Sequence, residues 1–233
     1  MKVILTGATG FIGGEVLKQL VQDPSITDVL VLSRRELPDG KGDNEKVKTI
    51  IHKDFSEYPD SIVEQLKGAD ACIWWAGPLR GLKSPLCLGG PYFFWQDTTQ
   101  YIKTNVEYTL AAAKVFATRF TPEKESNKKF RFVFCSGTGS VVDQSKKLWF
   151  MDLTRKTKGQ NEGGLFELAE SEPKFDPYTV RPGNVMPAQP NILHSASSYA
   201  FPSVGVDRLA ARMLELCKNG SDKRIYENDE IPI

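Results

Sequence analysis

The sequence predicts a single α/β domain over residues 1–233, doubly wound around a mostly parallel sheet. Three observations predict it. Short apolar runs alternate with helix-spaced segments along the chain. The first run, Val3-Ile4-Leu5, leads straight into the glycine turn Gly7-x-x-Gly10-x-x-Gly13. A length of 233 residues suits one such domain, whereas two full ones would be cramped. Strands separated by helices need right-handed crossovers, which makes neighbouring strands parallel and covers both faces of the sheet. This is a Rossmann-type arrangement.

The elements follow in order. A strand at 2–6 precedes a helix at 11–22, whose Ile12, Val16, Leu17, Leu20 and Val21 recur at helical spacing. Strands at 28–32 and 47–51 follow, then a helix at 60–67 and a strand at 70–75. Further helices are expected at 97–119, 148–170 and 206–218, with strands at 130–135 and 178–181 and a short one at 224–226. Two segments fit the pattern poorly, the loops 78–96 and 186–205. Both follow the carboxyl end of a strand, where open parallel sheets hold their ligands. The first carries Tyr92-Phe93-Phe94-Trp95, which either walls a pocket for a small-molecule substrate with apolar or aromatic surface, or folds back as local core or against another subunit. A homo-oligomer is therefore compatible with the sequence.

Composition excludes several classes. Lys and Arg number 30 against 29 Asp and Glu, so there is no basic footprint for a nucleic acid. No run approaches the roughly 20 apolar residues of a membrane span, and the first strand begins too early for a targeting peptide; a cytoplasmic protein is expected. Cys72, Cys87, Cys135 and Cys217 are scattered without a C-x-x-C pair and read as reduced thiols. With His52 and His194 as the only histidines, no metal site is expected. No G-x-S-x-G elbow supports a serine hydrolase.

The glycine turn carries the cofactor chemistry. Glycines let backbone N–H groups approach a diphosphate, and the helix N-terminus adds a partial positive charge. Gly7, Thr9, Gly10, Phe11 and Ile12 are the candidate diphosphate positions. The second strand ends in Ser33-Arg34-Arg35, where an acid would hold the ribose hydroxyls of NAD but arginine suits a 2′-phosphate. NADP(H) is thus favoured over NAD(H). Asp54-Phe55, after the third strand, can accept from an adenine amino group and line its pocket; Asp54 equally suits a cap on the following turn. Ala76 and Gly77, after the fourth strand, are small enough for backbone to pass against the cofactor.

These motifs, with the helix containing Asn105, the strand Phe132-Val133-Phe134-Cys135-Ser136 and the stretch Tyr178-Thr179-Val180-Arg181-Pro182-Gly183, occur in the order seen in atypical or extended short-chain dehydrogenases/reductases. The chain resembles their short NADP-binding members, similar to the Tat-interacting and NmrA-like proteins. The resemblance implies that Arg181, Pro182, Gly183 and Val185 lie near the nicotinamide. It also implies a Ser or Thr after the fifth strand, which Ser136 or Thr138 supplies, and a Tyr-x-x-x-Lys pair on the next helix. Lys158 matches the lysine, which would hold the cofactor ribose. Four residues earlier stands Thr154, and a threonine hydroxyl is a far poorer acid than a phenol of pKa roughly 10. Asp152 and Lys156 share the spacing but suit an ordinary helix-surface ion pair.

Ser136, Thr138, Thr154 and Lys158 are accordingly the catalytic candidates. Three functions remain: an NADP(H)-dependent oxidoreductase of a small carbonyl or alcohol, a non-redox isomerase or cyclase using Lys158 or an acid such as Asp152 or Glu162, and an NADP-sensing module that binds a protein.

Overall fold

A computed structural model of the chain describes residues 1–38, 40, 42–75, 98–120, 128–189 and 202–231. The strands are β1 (Lys2–Thr6), β2 (Asp28–Ser33), β3 (Val47–Ile51), β4 (Ala71–Trp74), β5 (Phe130–Cys135), β6 (Phe175–Arg181), β7 (Asn184–Met186), β8 (Ser203–Gly205) and β9 (Ile225–Glu227). Between them run α1 (Phe11–Gln22), α2 (Asp60–Leu66), α3 (Thr98–Ile102), α4 (Tyr108–Arg119), α5 (Asp152–Ser171) and α6 (Val206–Asn219). Seven strands form one sheet in the order β3-β2-β1-β4-β5-β6-β9, parallel at every pairing. The order reverses between β1 and β4, which opens a crevice at their carboxyl ends.

Period-two alternation divides the strand side chains between two cores. Val3, Leu5, Val29, Val31, Ala71, Ile73 and Val133 face α1 and α6. Ile4, Leu30, Leu32, Cys72, Trp74, Phe132 and Phe134 face the other layer, with Ile62 and Val63 of α2, Phe116 of α4 and Leu165 of α5. Every one of these side chains is at least nine-tenths buried, as a doubly covered sheet requires.

Three departures from the sequence reading matter for the site. The sixth strand starts at Phe175, ahead of the expected 178, because Pro177 is tolerated there: β9 pairs only with Thr179, Val180 and Arg181, so the missing N–H falls where β6 has an open edge. The fifth helix begins at Asp152 and not at 148, since Met151 adopts a left-handed conformation (φ 50°) that a helix cannot contain. At the two ends of the expected loop 186–205, β7 and β8 pair in parallel as a separate ribbon. Residues 190–201 of that loop, and the loop 78–96 with Ala76 and Gly77, lie outside the described residues.

The long helix expected at 97–119 is present as α3 and α4 joined by a wide π turn over Lys103–Glu107. Side-chain donors occupy its loosened ladder. The Asn105 carbonyl accepts from Thr109 Oγ1 at 3.0 Å and from Asn161 Nδ2 of α5 at 2.6 Å, and Trp74 Nε1 donates to Thr109 Oγ1 at 2.9 Å. Such insertions widen a helix locally.

Candidate cofactor and active site

The crevice starts at the glycine turn. Gly7 has φ +73°, and a Cβ there would come within 2.8 Å of the Trp75 ring. A Cβ on Gly13 would lie 2.2 Å from the Gly7 carbonyl oxygen, so α1 sits directly on the turn and only glycine fits. No side chain caps α1 and its first turn holds no acid, which leaves the first-turn amides at Phe11 and Ile12 for a ligand. This cradle fits a diphosphate. Thr6 fixes its position: its hydroxyl accepts from the Trp75 amide at 2.9 Å and donates to the Trp75 carbonyl at 3.2 Å, tying the ends of β1 and β4.

Arg34 and Arg35 stand exposed after β2, and Arg35 Nη2 donates to Thr9 Oγ1 at 3.3 Å. Thr9 thereby joins the glycine turn to the basic pair. Partial burial pulls the Arg34 guanidinium below its ordinary pKa. One oxygen of Asp54 accepts from both the amide and the hydroxyl of Ser56, at 3.0 and 2.6 Å, which is the turn-capping role; these bonds hold the carboxyl below the usual range. Phe55 is buried and stacks on Tyr108, with ring centres 5.8 Å apart and planes at 30°. Its edge meets Trp74.

Lys158 enters from α5. Its ammonium donates to the Ser136 carbonyl at 2.5 Å and lies 5.8 Å from the centre of the Trp75 ring. The same Trp75 touches the glycine turn, so the lysine and that turn share one crevice. Close packing makes this approach work: a Cβ on Gly137 would sit 2.6 Å from Nζ, and one on Gly159 would collide with the Val141 carbonyl. Burial pulls Lys158 below the ordinary lysine pKa, with Cys135 and Glu162 opposing.

The two hydroxyl candidates after β5 part company. Ser136 is fully buried; its hydroxyl donates to Glu162 Oε1 at 2.6 Å and lies 2.9 Å from Ser140 Oγ. It faces into the fold as part of an ionic network. Thr138 is exposed, with its hydroxyl donating to the Arg181 carbonyl at 3.0 Å. Thr154 is buried in the first turn of α5, one turn before Lys158. Asp152 and Lys156 form the surface ion pair expected of them, at 3.1 Å.

Glu162 organises the far side. Both its oxygens accept from Arg181, Nε at 2.9 Å to Oε1 and Nη2 to Oε2, while Arg181 Nη1 donates to Glu227 of β9 at 2.6 Å. These carboxylates raise the Arg181 pKa above its ordinary value. The guanidinium is therefore committed within the protein, and Pro182, Gly183 and Val185 can offer a cofactor chiefly backbone. The Gly183 amide donates to Asn228 Oδ1 at 2.8 Å, and a Cβ there would strike the Pro202 carbonyl. Val185 is buried in the α1–α6 core.

Sequence reading passed over Tyr108, Lys103 and the network role of Glu162. Glu162 left a signal, an acid four residues after a lysine on a helix. Tyr108 and Lys103 left none, since their meeting depends on the π turn. A cavity of about 1040 Å³ lined by Asp70, Arg131, Asp176, Tyr178 and Arg224 lies at the opposite, amino-terminal edge of the sheet and contains none of the candidate residues. Among the described residues no group of His, Cys, Asp and Glu is arranged to hold a metal, and no helix is long and apolar enough to cross a membrane.

Residues 3–152 match the model of the NAD dependent epimerase/dehydratase family. Leucinostatins biosynthesis cluster protein T of Purpureocillium lilacinum is 31% identical over 195 residues, covering 78% of this chain and 64% of the relative, so the match spans just under two thirds of that protein's length. Among solved structures, yeast methylglyoxal/isovaleraldehyde reductase Gre2 complexed with NADPH superposes with a TM-score of 0.69 at 15% identity, over 97% of this chain and 77% of that one. A dTDP-glucose 4,6-dehydratase, DesIV of Streptomyces venezuelae with NAD bound, gives 0.70 at 15% identity, over 97% and 75%. At these identities the structural likeness establishes an NAD(P)-binding Rossmann-type fold.

Proposed function

The chain belongs to the NAD dependent epimerase/dehydratase family, and from that premise we propose that it is an NADP(H)-dependent oxidoreductase of a small carbonyl or alcohol with a non-standard proton donor. One observation carries the reading: Lys158, matched to the family lysine through the resemblance, has its ammonium on the Ser136 carbonyl and beside Trp75, in the crevice that begins at Gly7. In this reading the Gly7–Ile12 cradle holds the diphosphate, Arg34 and Arg35 take the 2′-phosphate, and Asp54 and Phe55 border the adenine. Lys158 holds the nicotinamide ribose, with the backbone of Arg181, Pro182, Gly183 and Val185 and the small residues Ala76 and Gly77 alongside. The bound cofactor supplies hydride. Thr138 and Lys158 polarise the substrate oxygen; Ser136 acts behind them, because its hydroxyl belongs to Glu162. Free, buried Cys72, Cys135 and Cys217 suit a reducing, cytoplasmic setting.

Thr154 favours a second reading. Without a phenol at that place, orientation and proton transfer by Lys158 could serve a non-redox isomerisation or cyclisation, or the fold could sense NADP for a protein partner. Calorimetric titration with NADPH and NADH tests the cofactor half. The proposal expects NADPH to bind at least tenfold tighter and the preference to vanish in Arg34→Ala/Arg35→Ala. Equal affinities in the native protein would sink the NADP assignment, and no binding of either would sink the oxidoreductase and sensor readings together.

A further inference from the structure

Lys103 and Tyr108 are five residues apart, which on a regular α-helix turns them about 140° away from each other. Here the π turn closes with the Tyr108 amide donating to the Lys103 carbonyl, so the two positions stack one above the other. The Lys103 ammonium lies 5.9 Å from the centre of the Tyr108 ring. That ring in turn stacks on Phe55, the residue after Asp54 at the end of β3. The Tyr108 phenol lies in the combined field of Asp54, Lys103 and Arg34. A helix that follows β4 thus delivers a cation to the ends of β2 and β3, where the adenosine half of the cofactor is placed.

Resting on the NADP(H) reading, we propose that Lys103 is a third cation of the 2′-phosphate site, beside Arg34 and Arg35, and a determinant of NADP(H) over NAD(H). The charge count supports this. Arg34, Arg35 and Lys103 are three cations at the rim, against the carboxylates of Asp54 and Glu36. A 2′-phosphate brings nearly two negative charges, whereas the ribose hydroxyl of NAD brings none and leaves these cations uncompensated. Lys103 is partly buried, with its ammonium over the Tyr108 ring, so its charge is confined near the site without a long search of rotamers. The extra helix residue has a function in this view: it turns a side chain toward the cofactor that a regular helix would point elsewhere.

The test uses 2′,5′-ADP and 5′-AMP, which carry the adenosine end alone and need no turnover. Calorimetry on the native protein, Lys103→Met and Lys103→Arg should show Lys103→Met weakening 2′,5′-ADP about five- to tenfold while 5′-AMP stays within twofold. Lys103→Arg should restore most of the loss, and the salt dependence of 2′,5′-ADP binding should be shallower in Lys103→Met. Equal weakening of both ligands would overturn the proposal, leaving Lys103 as a prop for Tyr108; so would no weakening. If the native protein itself failed to distinguish the two ligands, the NADP(H) reading would fall with it. If instead Arg34→Ala abolished the discrimination and Lys103→Met left it intact, only the role of Lys103 would fall.

Discussion

Glu162 and Arg181 meet in a two-pronged ion pair on the far side of the site, with the Glu162 side chain wholly excluded from water and Arg181 only 15% exposed. The pair joins α5 to the end of β6, Ser136 adds β5 through its hydroxyl, and Glu227 adds β9. A buried charge is tolerated only when such bonds replace its hydration.

Removing one partner should therefore be costly. Glu162→Ala is expected to destabilise the fold by about 3–5 kcal/mol, lowering the melting temperature by roughly 10 °C for a chain of this size. Glu227→Ala is the control, because that carboxylate is 44% exposed, and should cost at most about 1 kcal/mol. Denaturation curves of the two variants check this; equal losses would mean that the Glu162 carboxylate is not the anchor.

Asp23 gives a prediction in pH. Its carboxylate accepts from Lys218 Nζ at 2.7 Å and from the Ser25 hydroxyl and amide, fastening the end of α1 to α6, and the bonds from Lys218 and Ser25 hold its pKa down to about 2 from an ordinary 3.8. The folded state favours the ionised form, so the stabilisation is complete above the unfolded pKa and is lost as pH falls toward the folded one. Between about pH 5 and pH 2 the native protein should lose about 1–2 kcal/mol more than Asp23→Asn. Urea denaturation across that range measures it, and parallel pH profiles would contradict it.

Much of this architecture is legible in the sequence, and the exceptions share a cause. Val3-Ile4-Leu5, Val29-Leu30-Val31-Leu32 and Phe132-Val133-Phe134 announce buried strands because each is a continuous apolar run under helices on both sides. The apolar Leu148-Trp149-Phe150-Met151 misleads as a helix start: Trp149 is 96% exposed and Met151 turns left-handed. Strands β7 and β8, at three residues each, are too short to show a period. Lys158 could be found because the family resemblance points to a lysine on this one helix. The inward turn of Ser136 could not, since it depends on Glu162 and Arg181 from other elements. The pairing of Lys103 with Tyr108 needs a helix register that no regular periodicity encodes.

The alignment of Thr154 with the missing phenol is open to direct test. Thr154→Tyr would place an acid of ordinary strength one turn before Lys158. General acid catalysis is commonly worth about 10²–10⁴-fold, and an increase of at least tenfold in NADPH-dependent carbonyl reduction is expected even with imperfect placement. Steady-state rates of the two proteins under identical conditions decide it. An unchanged rate in a folded, NADPH-binding variant would show that position 154 does not face the substrate.

Substrate-dependent oxidation of NADPH, followed by absorbance over a panel of aliphatic and aromatic aldehydes and ketones, tests the central claim most directly. The account predicts turnover that requires Lys158, is faster with NADPH than with NADH, and favours apolar carbonyls. Tight NADPH binding with no oxidation across the panel would contradict it.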